Sequence, residues 1–528
     1  MKNSLLIHHD NVVFIDFIKH RIKFQANRGD IDKYITENII PQIKENLIDI
    51  IYIKESLSNN YLELYGLRLV YHIRLSRELG EYRLLPIVII SELDVYLLNK
   101  LTQTAKILFS KNIFITKNSK KSIEKFNNLE LKNLIQNEYK ENFLNQIDIE
   151  APQESNHDIS NEWAIYRWAE FLKINDSIAI NDNREKIASM LYFKYLLAKN
   201  PISIKKKNGI QFVPRPPENS GKILYIDDEW AKGWSDILKR YFSKNKNIEF
   251  ETFEHNFKDN NKFNTMSAIK KYCETYYPDV VLLDLRLTQS DHKTTEIETL
   301  TGIKITKVIK DINPAIQIIM LTATSQSIIL ENLYQHDILG YIKKEHPTDV
   351  NISTKENFDK LKELVDRGFE KRYLKEIWIV SQNILELNLS NDIKVEIKSL
   401  FEILDSDMEN RFNYAMFAMV KVIEIITNIY TEEKWENKQR YALWKNSESK
   451  ISSNYGKNND STVNKISTIL DEKLFLKDST IHKNIEEIIQ TRNNTIHPKN
   501  NLNQEKISQE DIVEWFKMLQ TILKKINQ

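Results

Sequence analysis

The sequence predicts a multidomain α/β plus all-α protein: two doubly wound parallel-sheet domains, the first degenerate, and a C-terminal helical bundle. Three observations lead there. Short, unbroken Val/Ile/Leu runs alternate with helical patterns over residues 1–120 and again over 221–350. Pro201, Gly209, Pro214, Pro216, Pro217 and Gly221 mark the clearest linker between them. Beyond Thr354 the apolar spacing is helical, with no convincing strand. Continuous apolar strands alternating with helices imply a sheet buried on both faces. The expected units are a sheet domain at 1–120, a helical connector at 121–200, a linker at 201–220, a second sheet domain at 221–350, a coupling helix at 351–390 and a helical domain at 391–528.

Bulk properties narrow the function classes. A chain of 528 residues is too long for one core. Its formal net charge of +1 gives no global basic excess for bulk nucleic-acid binding, although a local basic patch stays open. Cys273 is the single cysteine, so no intramolecular disulfide and no multi-cysteine zinc site can form, which fits a reducing cytosol. The apolar run after Met1 is too short for a signal peptide, and Leu84–Ile90 is strand-sized. These features predict a cytoplasmic protein without a membrane segment. Abundant Ile, Asn and Lys with few Gly reads as an AT-rich genome.

In the second sheet domain each apolar run ends on polar residues. Ile223–Ile226 ends at Asp227-Asp228-Glu229, Val280–Leu283 at Asp284, Ile316–Leu321 at Thr322-Ala323, and Leu339–Ile342 at Lys343-Lys344. In open parallel sheets ligands bind beyond the carboxyl ends of the strands. Asp227, Asp228 and Asp284 would crowd there, and their repulsion calls for a cation; oxygen-only ligands with room for water suit Mg²⁺. Asp284 can then act as the nucleophile that forms an acyl phosphate. Thr322 offers a hydroxyl to a phosphoryl oxygen. Lys344 offers a compact charge that pairs first with Asp284 and then with phosphate.

This constellation resembles the receiver domain of two-component response regulators, a flavodoxin-like fold, over about 130 residues. The family also places an aromatic three residues before the lysine, where Tyr341 stands. The resemblance implies Mg²⁺ held by Asp228 and Asp284, with Asp227 in support and the Arg286 backbone carbonyl completing the site. It implies Thr322 and Tyr341 as a switch pair and a histidine kinase or other phosphodonor as partner. Two departures stand out. Glu345 follows the lysine where the family usually has proline, and Lys343 beside Lys344 leaves the choice to the spacing from Tyr341. The segment Thr288–Thr301 is long and polar, with Asp291, His292, Glu296 and Glu298. A tolerated insertion is the favoured reading; slower phosphate loss or selection of a kinase is the alternative.

Residues 4–117 repeat the layout without the acids. Leu5-Leu6-Ile7 ends at His8-His9, Asp49–Ile53 at Lys54, Pro86–Ile90 at Ser91 and Ile113–Thr116 at Lys117. This predicts a pseudo-receiver that docks a partner or the true receiver. Adjacent histidines at a strand end point to opposite faces, which argues against a metal there. Trp163 and Trp168 in the connector are read as core.

The C-terminal region offers one chemical motif. Apolar spacing from Thr354 to about Leu387 allows one or two helices that would extend the last receiver helix, and Phe412–Tyr430 reads as a central bundle helix. Later come Arg492, Asn493 and His497, followed by Pro498. Arg492 and His497 would sit about 140° apart on an unbroken helix. Pro498 disfavours helix at His497, so the helix should end near Asn493–Thr495 and free His497 to swing back. An arginine fork can hold phosphate while a histidine near neutrality moves protons, a pairing suited to metal-free RNA cleavage. The segment resembles the Arg-Asn…His motif of HEPN domains. That resemblance implies a ribonuclease site shared across a homodimer, with Arg492, Asn493 and His497 as catalytic residues. Arg286 and His292 match the spacing by accident, and Glu424 is either an orienting acid for His497 or a solvated one. The whole reads as a phosphorylation-controlled effector that cuts RNA, suited to a stress or phage-defence role. A non-catalytic, regulated protein- or RNA-binding module and a receiver-controlled transcription regulator are the rival readings. No compact helix-turn-helix with a basic recognition helix follows residue 350, so the regulator ranks last.

Overall fold

The computed structural model describes residues 2–9, 18–25, 29–60, 62–152, 156–201, 213–257, 262–294, 296–323, 336–347, 353–436, 439–451, 461–496 and 506–528. Linker residues 202–212, His497 and Pro498 lie outside them. The first sheet contains β1 (Ser4–His8), β2 (His20–Lys23), β3 (Ile50–Lys54), β4 (Ile87–Ile90) and β5 (Ile113–Thr116). The second contains β6 (Gly221–Ile226), β7 (Ile248–Thr252), β8 (Val280–Leu283), β9 (Gln317–Thr322) and β10 (Gly340–Lys343). Both sheets are wholly parallel and share one order, β2-β1-β3-β4-β5 and β7-β6-β8-β9-β10. The inner strands β3, β4, β8 and β9 are buried at every position, which is why they read as unbroken apolar runs. β2 and β7 are half-exposed edge strands and gave no such run.

The helices used below are α1 (Tyr65–Leu75), α2 (Asn156–Leu172), α3 (Ile178–Ser189), α4 (Leu191–Lys199), α5 (Trp234–Phe242) and α6 (Thr301–Ile312). After the second sheet come α7 (Thr354–Glu370), α8 (Leu374–Leu385), α9 (Asn391–Asp405), α10 (Arg411–Tyr430), α11 (Thr462–Glu472), α12 (Ser479–Ile496) and α13 (Gln509–Ile526). The internal repeat reaches single atoms. A Cβ on Gly66 would fall 2.0 Å from the Lys54 carbonyl oxygen, and one on Gly302 would fall 2.6 Å from the Asp284 carbonyl oxygen. In both domains a glycine lets the next helix press against the end of the central strand.

Helix α2 is shared between two cores. Ile159 and Trp163 enter the first domain's core; Ala164, Ile165, Trp168 and Ala169 enter the second's. Both tryptophans are therefore core, as expected. Helix α7 lies on the second sheet through Phe358, Leu361, Leu364, Val365 and Phe369. The chain then breaks at Lys371–Tyr373, so the anticipated continuation is two helices with a joint. Lys375 Nζ clamps the joint to the amino-terminal end of β8, donating to the carbonyls of Tyr277 (3.0 Å) and Pro278 (3.1 Å) and to Asp279 Oδ1 (2.6 Å). From there α8 to α13 form the C-terminal helical region, with α10 at its centre. Among the described residues α10 is the one helix long and apolar enough to cross a bilayer, and its Met416, Met419, Val422, Ile423 and Ile426 are fully buried in this core.

One expectation is corrected here. The region after Thr354 is not free of strands: Thr431–Glu436 and Gln439–Trp444 form an antiparallel hairpin between α10 and α11. Its first strand, Thr-Glu-Glu-Lys-Trp-Glu, carries no apolar alternation, and the hairpin meets the interior through Ala442 and Leu443.

In the first domain, His72 on α1 is fully buried, with Nε2 2.9 Å from Asp32 Oδ1; Arg68 Nε lies 2.6 Å from the same oxygen. Burial pushes the imidazole from 6.5 down to about 4, outweighing the pull of Asp32. The native state thus keeps His72 neutral where the unfolded chain already binds a proton. Stability should be full above about 6.5 and fall as the pH drops toward 4. Urea melts across that window should show this slope reduced in His72→Gln; equal slopes would contradict it.

Candidate functional site

Strand register assembles the site. Ile226 pairs with Leu283, so Asp227 and Asp284 leave neighbouring strands side by side. Lys343 pairs with Thr322, so Lys344 follows at the end of the outer strand. The backbone N–H of Lys344 donates to the Thr322 carbonyl at 2.7 Å, and that of Asp284 to the Ile226 carbonyl at 2.9 Å. Asp227, Asp284, Thr322 and Lys344 are all buried, and Asp228 is half-buried. Carboxylate oxygens of Asp227, Asp228 and Asp284 lie within 4.8 Å of one another, the one such group of three potential metal ligands among the described residues.

The lysine is placed differently from expectation. Lys344 Nζ donates to Asp227 Oδ2 at 2.9 Å and stands 3.7 Å from Asp284 Oδ2, so its first partner is Asp227. Asp227 is fully engaged: the Tyr225 hydroxyl donates to Oδ2 at 2.7 Å, and the Glu229 N–H donates to Oδ1 at 2.7 Å. Burial opposes its charge, yet Lys344 and Tyr225 hold its carboxyl below the ordinary range. The other two acids have less: Asp284 Oδ1 accepts from the Leu285 N–H at 2.7 Å, with Lys344 3.7 Å away. Asp228 Oδ1 and Asp284 Oδ2 are buried without a hydrogen-bond donor among the described residues. Burial, aided by Asp227 and Glu229, pushes Asp228 up to about 7. Burial also raises Asp284 well above the ordinary range, with Lys344 pulling the other way and Asp227 and Asp228 adding to the rise. Three carboxylates facing one ammonium in a largely buried pocket call for a proton or a cation among them. Two unengaged carboxylate oxygens fit a hard divalent cation such as Mg²⁺.

The remaining sequence-predicted residues fall as follows. Tyr341 lies on β10, with Lys360 Nζ 4.3 Å from its ring centre. The Arg286 guanidinium turns into the following loop, donating to the carbonyls of Asp291 and Thr294. The described part of that loop folds around Asp291. Its carboxylate accepts from the N–H groups of Leu287, Thr288 and Thr301 at 3.0–3.1 Å and from the Thr301 hydroxyl at 3.0 Å, so it is committed to the loop. In the first domain Lys54 is buried and paired with its neighbour Glu55 at 2.7 Å.

In the C-terminal region α12 runs to Ile496, further than the expected end near Asn493–Thr495, because Pro498 restrains only the residue before it. Arg492 is half-buried, Asn493 is exposed, and Arg492 Nη1 donates to Asn493 Oδ1 at 3.1 Å. Arg492 Nη2 lies 3.9 Å from Glu424 Oε1 on α10, so Glu424 is near the arginine. His497 lies outside the described residues. Sequence reasoning passed over Tyr225 beneath Asp227 and Trp234, whose ring centre is 5.2 Å from Lys344 Nζ. Only the position of Tyr225, two residues before the acid on one strand face, could have signalled its role.

Both sheets share the doubly wound parallel order, and the second carries the acidic group at its carboxyl end. Residues 6–116 match the family model of the inactive receiver domain, so the N-terminal domain is a degenerate receiver-like domain. No curated protein matches it. Among solved structures, parts of the chain match the signal receiver domain of a protein described as a Luxo repressor from Vibrio parahaemolyticus, at 16% identity over 30% of this chain and 96% of that one, TM-score 0.21. A LuxR-family two-component response regulator from Aurantimonas matches at 16% identity over 28% of this chain and 86% of that one, TM-score 0.20. NtrX from Brucella abortus, solved with ADP, matches at 17% identity over 35% of this chain and 33% of that one, TM-score 0.22.

Replacing Lys344 with Met should destabilise the chain by about 3 kcal/mol, because Asp227 keeps its buried charge and loses its counterion. Chemical denaturation with and without Mg²⁺ checks this. A loss below about 1 kcal/mol would mean that the pair does not carry that charge.

Proposed function

We propose that this protein is a phosphorylation-controlled effector in which Asp284 accepts a phosphoryl group. The carrying observation is the group of three carboxylates within 4.8 Å with Lys344 on its rim. Asp228 and Asp284 would hold Mg²⁺, with Asp227 behind them and the Arg286 carbonyl as a further ligand; the cation supplies charge neutralisation for the incoming phosphoryl group. An Asp284 carboxylate oxygen attacks phosphorus, the bond from phosphorus to the donor breaks, and the donor leaves with the electron pair. The donor would be a histidine kinase or another phosphodonor. Lys344, 3.7 Å from Asp284 Oδ2, would pair with the new phosphate, and Thr322 would donate its hydroxyl. Tyr341 on the same edge of the sheet would follow Thr322 as the switch.

The proposed output is the C-terminal region, from about residue 391, as a HEPN-like ribonuclease assembled as a homodimer. Arg492 at the end of α12 would hold the scissile phosphate. The 2′-hydroxyl oxygen attacks phosphorus, the bond to the 5′ oxygen breaks, and His497 moves the proton between them. Asn493, exposed beside Arg492, would contact the same backbone. A stress or phage-defence setting suits such a switch. One observation favours a non-catalytic binding module as second reading: Arg492 already faces Glu424 at 3.9 Å and Asn493 at 3.1 Å.

Acetyl phosphate with Mg²⁺ should add one alkali- and hydroxylamine-labile phosphate, and Asp284→Asn should abolish it; mass spectrometry reads the outcome, and equal labelling of both proteins would sink the phosphoacceptor assignment. Separately, cleavage of a labelled single-stranded RNA should fall at least a hundredfold in Arg492→Ala and His497→Ala. Unchanged cleavage in both variants, or none by the wild type in either phosphorylation state, would leave the binding module.

A further inference from the structure

Helix α2 lies outside the second domain yet builds part of the pocket rim. Asn161 is fully buried. Its Nδ2 donates to Glu229 Oε2, and its Oδ1 accepts from Trp234 Nε1 at 2.5 Å. Glu229 is the residue whose N–H holds Asp227 at 2.7 Å, and the Trp234 ring centre lies 5.2 Å from Lys344 Nζ. One amide therefore fixes two neighbours of the acidic group. Six residues on, roughly 9 Å along the helix, Arg167 Nε donates to Glu345 Oε2 at 3.0 Å and to Thr354 Oγ1 at 3.3 Å. Glu345 directly follows Lys344, is buried, and also accepts from Thr354 Oγ1 at 3.1 Å. The helix thus grips the acid loop after β6 and the lysine loop after β10. Gly233 permits the approach: its φ is +122°, and a Cβ there would meet Ile180 Cγ1 at 3.0 Å and Ile165 Cγ2 at 3.3 Å. On its other side α2 is fixed in the first domain, where Trp163 stacks on Phe193 with centroids 6.3 Å apart.

We propose that Asn161 and Arg167 are positioning residues for phosphoryl transfer to Asp284, and that the inactive receiver-like domain acts as a built-in scaffold setting both loops through α2. The claim rests on the reading of Asp284 as phosphoacceptor. Arg167 acts through Glu345 on the backbone carrying Lys344, and Asn161 acts through Glu229 and Trp234. Neither touches the transferred group. A displacement of a few tenths of an ångström at either loop misaligns the groups that must converge on one phosphoryl.

The test uses the full chain. Calorimetry with Mg²⁺ gives cation affinity, and acetyl phosphate gives the labelling rate at saturation. Asn161→Ala and Arg167→Ala should each lower that rate about tenfold at an unchanged KM for acetyl phosphate, and weaken Mg²⁺ binding about threefold. Arg167→Lys should recover much of the rate, since it restores a charged donor to Glu345. Should Arg167→Ala fail to fold, Glu345→Gln takes its place with the same expectation, because it keeps the shape and removes only the charge that Arg167 meets. Wild-type rate and Mg²⁺ affinity in both folded variants overturn the proposal. If the wild type itself takes no label, the phosphoacceptor reading fails and the transfer role falls with it; a threefold loss of Mg²⁺ affinity in the variants then upholds only the scaffolding of the acid group through α2, and no change overturns that as well.

Discussion

Charge balance at the carboxyl end of the second sheet governs this molecule. Three carboxylates and one ammonium converge where water is nearly excluded. Asp227 takes the lysine, a tyrosine hydroxyl and a backbone N–H, so its charge is met from within the fold. Asp228 and Asp284 are left facing each other, and each keeps a buried oxygen that no described donor satisfies. A pocket of that kind is stable only with a proton or a cation in it. The first domain solves the same position in the opposite way. Lys54 stands there with Glu55 beside it, a self-neutralised pair with no call for an ion. One fold thus appears twice in the chain, once with its charge deficit retained and once with it cancelled.

The two copies are joined by packing. Helix α2 gives Trp163 to one core and Trp168 to the other, and Trp168 meets Trp234 at 5.3 Å and Phe358 at 4.4 Å. The ring of Phe358 belongs to α7, whose first residue, Thr354, touches Glu345. Helix α7 has 17 residues, about 25 Å at 1.5 Å each. It begins beside the lysine loop and ends at the joint from which the helical region departs. Lys375 ties that joint to the opposite end of the sheet, so the bundle sits at the amino-terminal edge and the acids at the carboxyl edge. The sheet, α7 and α6 all run between the acids and that joint: Gly302 at the start of α6 packs on the Asp284 carbonyl, and Asn313 just after its end donates to the Lys375 carbonyl at 3.1 Å.

Legibility in the sequence followed burial. β3, β4, β8 and β9 were readable because strands covered on both faces must be apolar at each residue. β2 and β7 escaped notice because an edge strand needs apolar residues on only part of its surface. The hairpin after α10 was missed for a related reason: its charged first strand satisfies no apolar period. The acids, Thr322 and Lys344 were legible because each sits at the end of a readable strand or just after one. Lys344's choice of Asp227 over Asp284 was not, since a long flexible side chain settles its partner only when competing donors such as Tyr225 are in place.

The sequence by itself determined the two sheets, the acid-free first copy, the acid-bearing second and a helical C-terminal region, because apolar runs and the residues that end them are local facts of the chain. The tertiary structure alone decided which carboxylates remain unsatisfied and how the domains meet. Asn161 lies 68 residues from Glu229, and Arg167 lies 178 from Glu345. No local period links such partners. They meet because α2 is wedged between two cores, and that packing exists only once both sheets have formed.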